Sequence, residues 1–325
     1  MPSVIVHSYF IKDVYDKLPL DRKVFLKNET KKFDFFSHSI EPLKYYYSIN
    51  NKKNKKIRSF YNFFHNNKIN DFLITMINYI KYNYYKDDPE IMAMLYSLVS
   101  HYVIDSKINP YIFYKSGIFN KQDPNTYKYN SKIFEIENAI DKYLIKVKEK
   151  TLPYKYKHYK EIFTKPHLTK NTIEVIDFSF KETFSINKFS KTWISSSKKI
   201  KKFYKIFRYD PTGIKCLIYK IFDKISSKKT LKISYFSYKT KNKNSDYLNN
   251  NHTKWNYPTS KRKKSKKSFI ELYTESISDT IKIIEEIDQY IYQNKKINLK
   301  KLLKNISYTT GIEINKPQEM KYFEF

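Results

Sequence analysis

A histidine and an aspartate stand four residues apart in the stretch His101-Tyr-Val-Ile-Asp105-Ser-Lys-Ile-Asn-Pro-Tyr111. On a helix, residues at i and i+4 share one face, one turn apart. An imidazole and a carboxylate so placed can grip one metal ion, or the carboxylate can hold the ring. Met92, Leu95, Val99 and Val103 around them are apolar, so water has poor access to the pair. An ionised carboxylate buried there is costly unless a cation or hydrogen-bond donors compensate. The motif asks for a partner.

The elements that must position this pair read as helical nearly throughout. Pro2 and Ser3 can open a first helix carrying His7, with Val4, Phe10, Ile11 and Val14 as its apolar positions. Residues 17–32 read as polar and irregular. The next stretch, 33–47, is dense in aromatics and holds Asp34, His38 and the Glu41-Pro42 step. Residues 52–56 read as a basic loop, 57–66 as a short helix ending near His65, and 69–84 as an amphipathic helix. The apolar helix spans 89–108, with Pro89 in its first turn and Pro110 just beyond its end. A loop over 111–129 leads to a helix over 131–148, in which Glu137 and Asp141 lie one turn apart. In the second half, helices are expected over 169–184, 188–207, 211–225, 269–293 and 299–306. An extended piece is expected over 231–238. A polar loop over 239–267 holds Trp255 and the basic run at 261–267. The pattern predicts an all-α, multi-helix bundle in one domain over 1–325, with 1–150 as the half that carries the candidate site and 239–267 as a polar insertion.

His7, His65, His101, Asp105, Glu137 and Asp141 fall on four of these helices, with Glu41 on the aromatic stretch between. Helices that point His, Asp and Glu side chains into one bundle core are a recurrent way to build a metal site. Zinc accepts such a mixed set of nitrogen and oxygen donors. Taken singly, each residue has an ordinary use. His65 suits a helix C-terminus, and Glu137 and Asp141 could pair with Lys132 and Lys142.

Composition bounds the alternatives. The 325 residues include only 3 glycines, which argues against any glycine-rich phosphate loop. The formal charge of +31 suits a polyanionic partner, nucleic acid or an anionic membrane. Nearly all of that charge is lysine, with arginine only at positions 22, 58, 208 and 262. Arginine is the better bidentate reader of phosphates and bases, so specific nucleic-acid recognition ranks below compositional bias as the cause. The single Cys216 excludes an internal disulfide framework. The N-terminal residues lack a basic start followed by an apolar core, and no apolar run reaches membrane-spanning length. A cytoplasmic location is expected, with contact at a membrane face left open.

The order of motifs resembles the bacterial zinc-dependent phospholipase C family, in its intracellular, signal-less branch. Met1-Pro-Ser-Val-Ile-Val-His7-Ser-Tyr-Phe, Ser39-Ile-Glu41-Pro42-Leu, Phe63-Phe-His65, the His101–Tyr111 stretch and Phe134-Glu-Ile-Glu137-Asn-Ala-Ile-Asp141 carry the resemblance. It covers about the first 150 residues by motif and the helical remainder more loosely. The resemblance implies a helical, zinc-dependent phosphodiesterase. His65, His101 and Asp105 match the ligands of one zinc, and His7 with Asp105 matches a second, bridged through the aspartate. Glu137 matches the glutamate of a third zinc. The two histidines of that third site fall on Asn109 and Ile133, so one or two ions are expected in place of three. Glu41 stands where the family carries the acidic residue before proline that handles the attacking water, and is the candidate catalytic residue.

The expected function is therefore phospholipase C-like hydrolysis with reduced metal content, acting on a phospholipid or another phosphodiester. The alternative is a non-catalytic relative of the same fold that binds anionic lipid or another polyanion. Nonspecific nucleic-acid binding through interleaved lysines and tyrosines ranks third.

Overall fold

The computed structural model describes residues 2–38, 40–45, 52–162, 167–226, 232–241 and 246–324. Met1, Ser39, residues 46–47, Leu231 and residues 242–245, all used in the sequence reading, lie outside them. The first helices are α1 (Val4–Lys17), α2 (Leu20–Phe25), α3 (Thr30–Ser37), α4 (Lys52–Phe64) and α5 (Ile69–Tyr82). They continue as α6 (Pro89–Ser116), α7 (Lys132–Glu149), α8 (His158–Glu161), α9 (Lys170–Phe184) and α10 (Phe189–Phe203). The last are α11 (Ile214–Ile225), α12 (Phe269–Tyr292) and α13 (Leu299–Leu302). Two short antiparallel strands, β1 (Trp255–Tyr257) and β2 (Ser260–Ser265), pair Trp255 with Ser265 and break register after Asn256. The chain is mostly helical, as its periodicity predicts. No helix among the described residues is long and apolar enough to cross a membrane.

α6 is the axis of the molecule. Asp88 caps it by accepting from the backbone N–H groups of Glu90 (2.9 Å) and Ile91 (3.2 Å), and Pro89 fills the first helical position. Apolar residues occur all round this helix, so it must be covered on every side. It is wrapped by α1, α3, α5, α7, α9 and α12, and most of its residues are buried. Ser97 and Ser100, caught in this core, satisfy their hydroxyls on the carbonyls of Ala93 and Tyr96 one turn back. One contiguous set of buried apolar side chains runs from Val4 to Tyr308.

Several local expectations are corrected. α6 does not stop at residue 108 but passes through Pro110 to Ser116, where Gly117 ends it with φ +61°. A proline inside a helix supplies no N–H for the carbonyl four residues back. Here that carbonyl, of Ser106, faces Gly311, whose missing Cβ would lie 2.4 Å from it. The approach is open only to glycine, which also holds φ +66°. Residues 17–32 are not irregular: they form α2, a 3₁₀ turn and the start of α3. Residues 52–56 continue α4 and are not a loop. The piece expected to be extended contains a 3₁₀ turn, Ile233–Phe236. The polar insertion carries the β1–β2 hairpin, anchored by Trp255, which is buried and donates from Nε1 to the carbonyl of Lys267 at 3.0 Å.

Candidate metal centre

Four elements converge on Asp105. α6 presents His101 and Asp105 on one face, α1 brings His7, the C-terminal end of α4 brings His65, and the 3₁₀ turn Glu41–Tyr45 brings Glu41. α1 is held at its start by Ser3, whose hydroxyl accepts from the N–H groups of Ile5 and Val6. All five side chains are at most 1 % exposed.

The second nitrogen of each ring fixes how the first is used. His101 donates from Nδ1 to the carbonyl of Ser37 (2.9 Å), and His65 donates from Nδ1 to the carbonyl of Tyr61 (2.7 Å). A carbonyl can only accept, so neutral rings keep the lone pair on Nε2, aimed inward. A backbone carbonyl behind the ring is the usual arrangement for a metal-binding histidine. His65 Nε2 then meets Glu41 Oε1 at 3.0 Å, and lies 3.8 Å from Asp105 Oδ2. His101 Nε2 lies 3.3 Å from Asp105 Oδ2, and His7 Nε2 lies 3.3 Å from Asp105 Oδ1. For neutral His65 and His101 rings, lone pair faces lone pair across these gaps unless a cation stands between.

The hydrogen-bond account points the same way. Nε2 of His7, Nε2 of His101 and both oxygens of Asp105 are buried without a hydrogen-bond partner. The 3.3 Å contacts are close approaches without hydrogen-bond geometry. A buried carboxylate lacking any donor is among the costliest states in a protein interior. Donors around a tetrahedral zinc, each about 2.0–2.3 Å from the ion, sit roughly 3.3 Å from one another. Glu41, His65, His101 and Asp105 each offer an atom within 4.8 Å of all the others, so small side-chain shifts would close this set on one ion. Donor types and spacing fit a divalent cation.

The electrostatics are tightly linked. Burial pushes the Asp105 carboxyl up, but His101 and His7 overcome it and hold the group well below the usual carboxylate range. Burial also works against a charged His101, yet Asp105 outweighs it and raises that ring. His7 is lowered, first by burial and then by the neighbouring His101. Behind these rings, Ser8 donates to Asp34 at 2.5 Å and meets His38 Nε2 at 2.9 Å. Burial, with His7 and His101 nearby, holds His38 down at about 3, and burial pushes Asp34 up to about 7.

Glu137 stands elsewhere. It is buried on α7 beside Arg208 and Asp141 and is not one of the residues that meet at Asp105. Asp141 accepts from the hydroxyls of Ser3 and Tyr238. Asn109 donates from Nδ2 to the carbonyl of Tyr308 at 2.6 Å, and Ile133 packs against the apolar core.

Two contributors were missed in the sequence reading. Tyr61 donates to both oxygens of Glu41 at 3.0 and 3.1 Å, and its place one turn before His65 is a usable signal. Tyr308 packs its ring edge-on to His65 and His101, with centroids 5.3 and 5.4 Å away. Its N–H donates to the carbonyl of His65 at 2.9 Å. Nothing local in the sequence marks it. No family model, curated protein or solved structure matches the chain.

Proposed function

We propose that the chain is a zinc-dependent phosphodiesterase of the phospholipase C kind, working with one or two ions. The observation that carries this reading is the set of buried, unpartnered donors meeting at Asp105, with a further carboxylate, Glu41, beside them. His65, His101 and Asp105 would hold the main ion, and His7 with the other oxygen of Asp105 a second. Zinc there supplies a Lewis-acid charge and an activated water near neutral pH. Glu41 takes the proton of the attacking water, and Tyr61 holds that carboxylate in place with its hydroxyl. Asn109 and Ile133 replace the imidazoles that a third ion would need.

A second reading is favoured by the burial of the whole cluster: a structural ion in a non-catalytic scaffold. One experiment separates them. Metal content is measured on protein purified without chelator or added metal, and hydrolysis of a chromogenic phosphodiester and of phosphatidylcholine is followed for the wild type and Glu41→Gln. Bound zinc with hydrolysis that falls at least about a hundredfold in Glu41→Gln supports the enzyme. Bound zinc without hydrolysis supports the structural ion. A folded chain without metal overturns both.

A further inference from the structure

α11 is an amphipathic helix with its apolar face turned outward. Ile214, Leu217, Ile218, Ile221, Phe222 and Ile225 are between 43 and 72 % exposed. Their spacing, i, i+3, i+4, i+7, i+8, i+11, is one continuous helical stripe. The opposite face docks on the protein. Cys216 and Tyr219 are buried there, and Asp223 accepts from the N–H groups of Ile233 (2.8 Å) and Ser234 (3.2 Å). Single exposed apolar residues are ordinary on protein surfaces, but a contiguous stripe of six is not.

The charges around the stripe choose its occupant. On the helix, Lys220 and Lys224 border one side of the stripe and Lys215 the other, while Asp223, the only acidic residue of α11, is turned inward. Lys215 and Tyr219 tie α11 to the adjoining segment, bonding the carbonyls of Lys205 and Ile206. In that segment Ile206 and Lys205 are exposed, as are Lys201 and Lys202 at the end of α10. A convex apolar stripe with lysines at its borders is the form of a helix lying in a membrane interface, its long cations reaching back to the head groups. A second copy of a chain with charge +31 would press like-charged borders together.

We infer that α11 docks the protein onto an anionic lipid surface, with the stripe from Ile214 to Ile225 in the acyl boundary and the exposed Lys220 and Lys224 on anionic head groups. The inference stands independently of the metal centre. Vesicles of phosphatidylcholine alone, and of phosphatidylcholine mixed with phosphatidylserine, are sedimented with the full chain at low and high salt. The wild type is expected to co-sediment with the anionic vesicles and to be released by salt. The double variant Leu217→Asp with Ile221→Asp should lose more than about tenfold in partitioning, at unchanged helix content. A separate variant, Ile221→Trp, should shift its emission to shorter wavelength on anionic vesicles; the native Trp193 and Trp255 are buried and add a constant background. Unchanged binding by the double variant, equal binding to neutral vesicles, or a lipid-free dimer that the same substitutions dissociate would each overturn the proposal.

Discussion

The imidazoles of His7 and His101 lie stacked, with centroids 4.3 Å apart and planes 19° from parallel, and each turns Nε2 to a different oxygen of Asp105. Stacking two cationic imidazoles in a dry core is unfavourable, so at most one ring of the pair is protonated at neutral pH. One carboxylate thereby serves two positions: Oδ2 faces His101 and His65, and Oδ1 faces His7.

That division predicts unequal losses. Asp105→Ala removes the shared ligand and should leave no bound metal, and His101→Ala should do the same. His7→Ala should keep the ion on His65, His101 and Asp105 and lose only a second one. Metal per chain by mass spectrometry checks this. A chelator should lower the melting temperature of the wild type and leave that of His101→Ala unmoved. Wild-type metal content in Asp105→Ala would remove Asp105 from the centre.

Asn109 and Ile133 offer a gain-of-binding test. Placing imidazoles at both, Asn109→His with Ile133→His, should raise the metal per chain if Glu137 addresses the same position. Glu137 sits beside Arg208, which competes for its charge, so the gain is expected only at raised zinc concentration. An unchanged stoichiometry there would show that residues 109 and 133 do not face a common ion.

Gly311 can be tested by stability alone. In Gly311→Ala the new Cβ meets the Ser106 carbonyl at 2.4 Å and Pro110 Cγ at 2.5 Å, with φ at +66°. Neither the backbone carbonyl nor the proline ring can yield readily. A loss of roughly 3 kcal/mol or more is expected from clash and left-handed strain together, read from the urea midpoint at constant slope. A loss below about 1 kcal/mol would mean that residues 307–311 move off the helix at little cost.

His158 supplies a pH test at a residue outside the metal centre. It is buried among Tyr156, Tyr204 and Tyr238, both its ring nitrogens lack partners, and burial with the nearby Arg208 lowers it to about 3. The unfolded chain binds a proton here below about 6.5 while the folded one stays neutral to about 3. The contribution is thus present above 6.5 and lost as pH falls through that window, at up to about 1.4 kcal/mol per pH unit. His158→Phe should flatten the acid side of the stability profile between pH 7 and 5. Parallel profiles for the two proteins would place the proton elsewhere.

Helices with a buried stripe were legible in the sequence. α5 and α12 alternate at helical spacing, and the capping box of Ser268 and Glu271 marks the start of α12. The central pair was legible because His101 and Asp105 sit one turn apart in an apolar run. α2 was hidden because it buries no residue at all and leaves Leu20 and Val24 in solvent, so periodicity had nothing to register. The passage of α6 through Pro110 was hidden because the segment that packs against it there, at Gly311, comes from far along the chain. The surroundings of Glu137 on α7 were not legible either, because Arg208 beside it comes from far along the chain and no local pattern could place it. The same holds for Tyr308, which reaches the centre only through the folded path of the last residues.

The packing of Tyr308 against His65 and His101 has a consequence for biosynthesis. Tyr308 follows His7 by 301 residues, and both must be seated before the rings around Asp105 are fixed. Between the synthesis of Asp105 and that of Tyr308 the nascent chain carries His65, His101 and Asp105 without the segment that bonds the carbonyl of His65 and the side chain of Asn109. An ion held at Asp105 would therefore meet its finished surroundings only after residue 308 is made, and a ribosome stalled short of that residue would hold a helical chain with an unfinished centre.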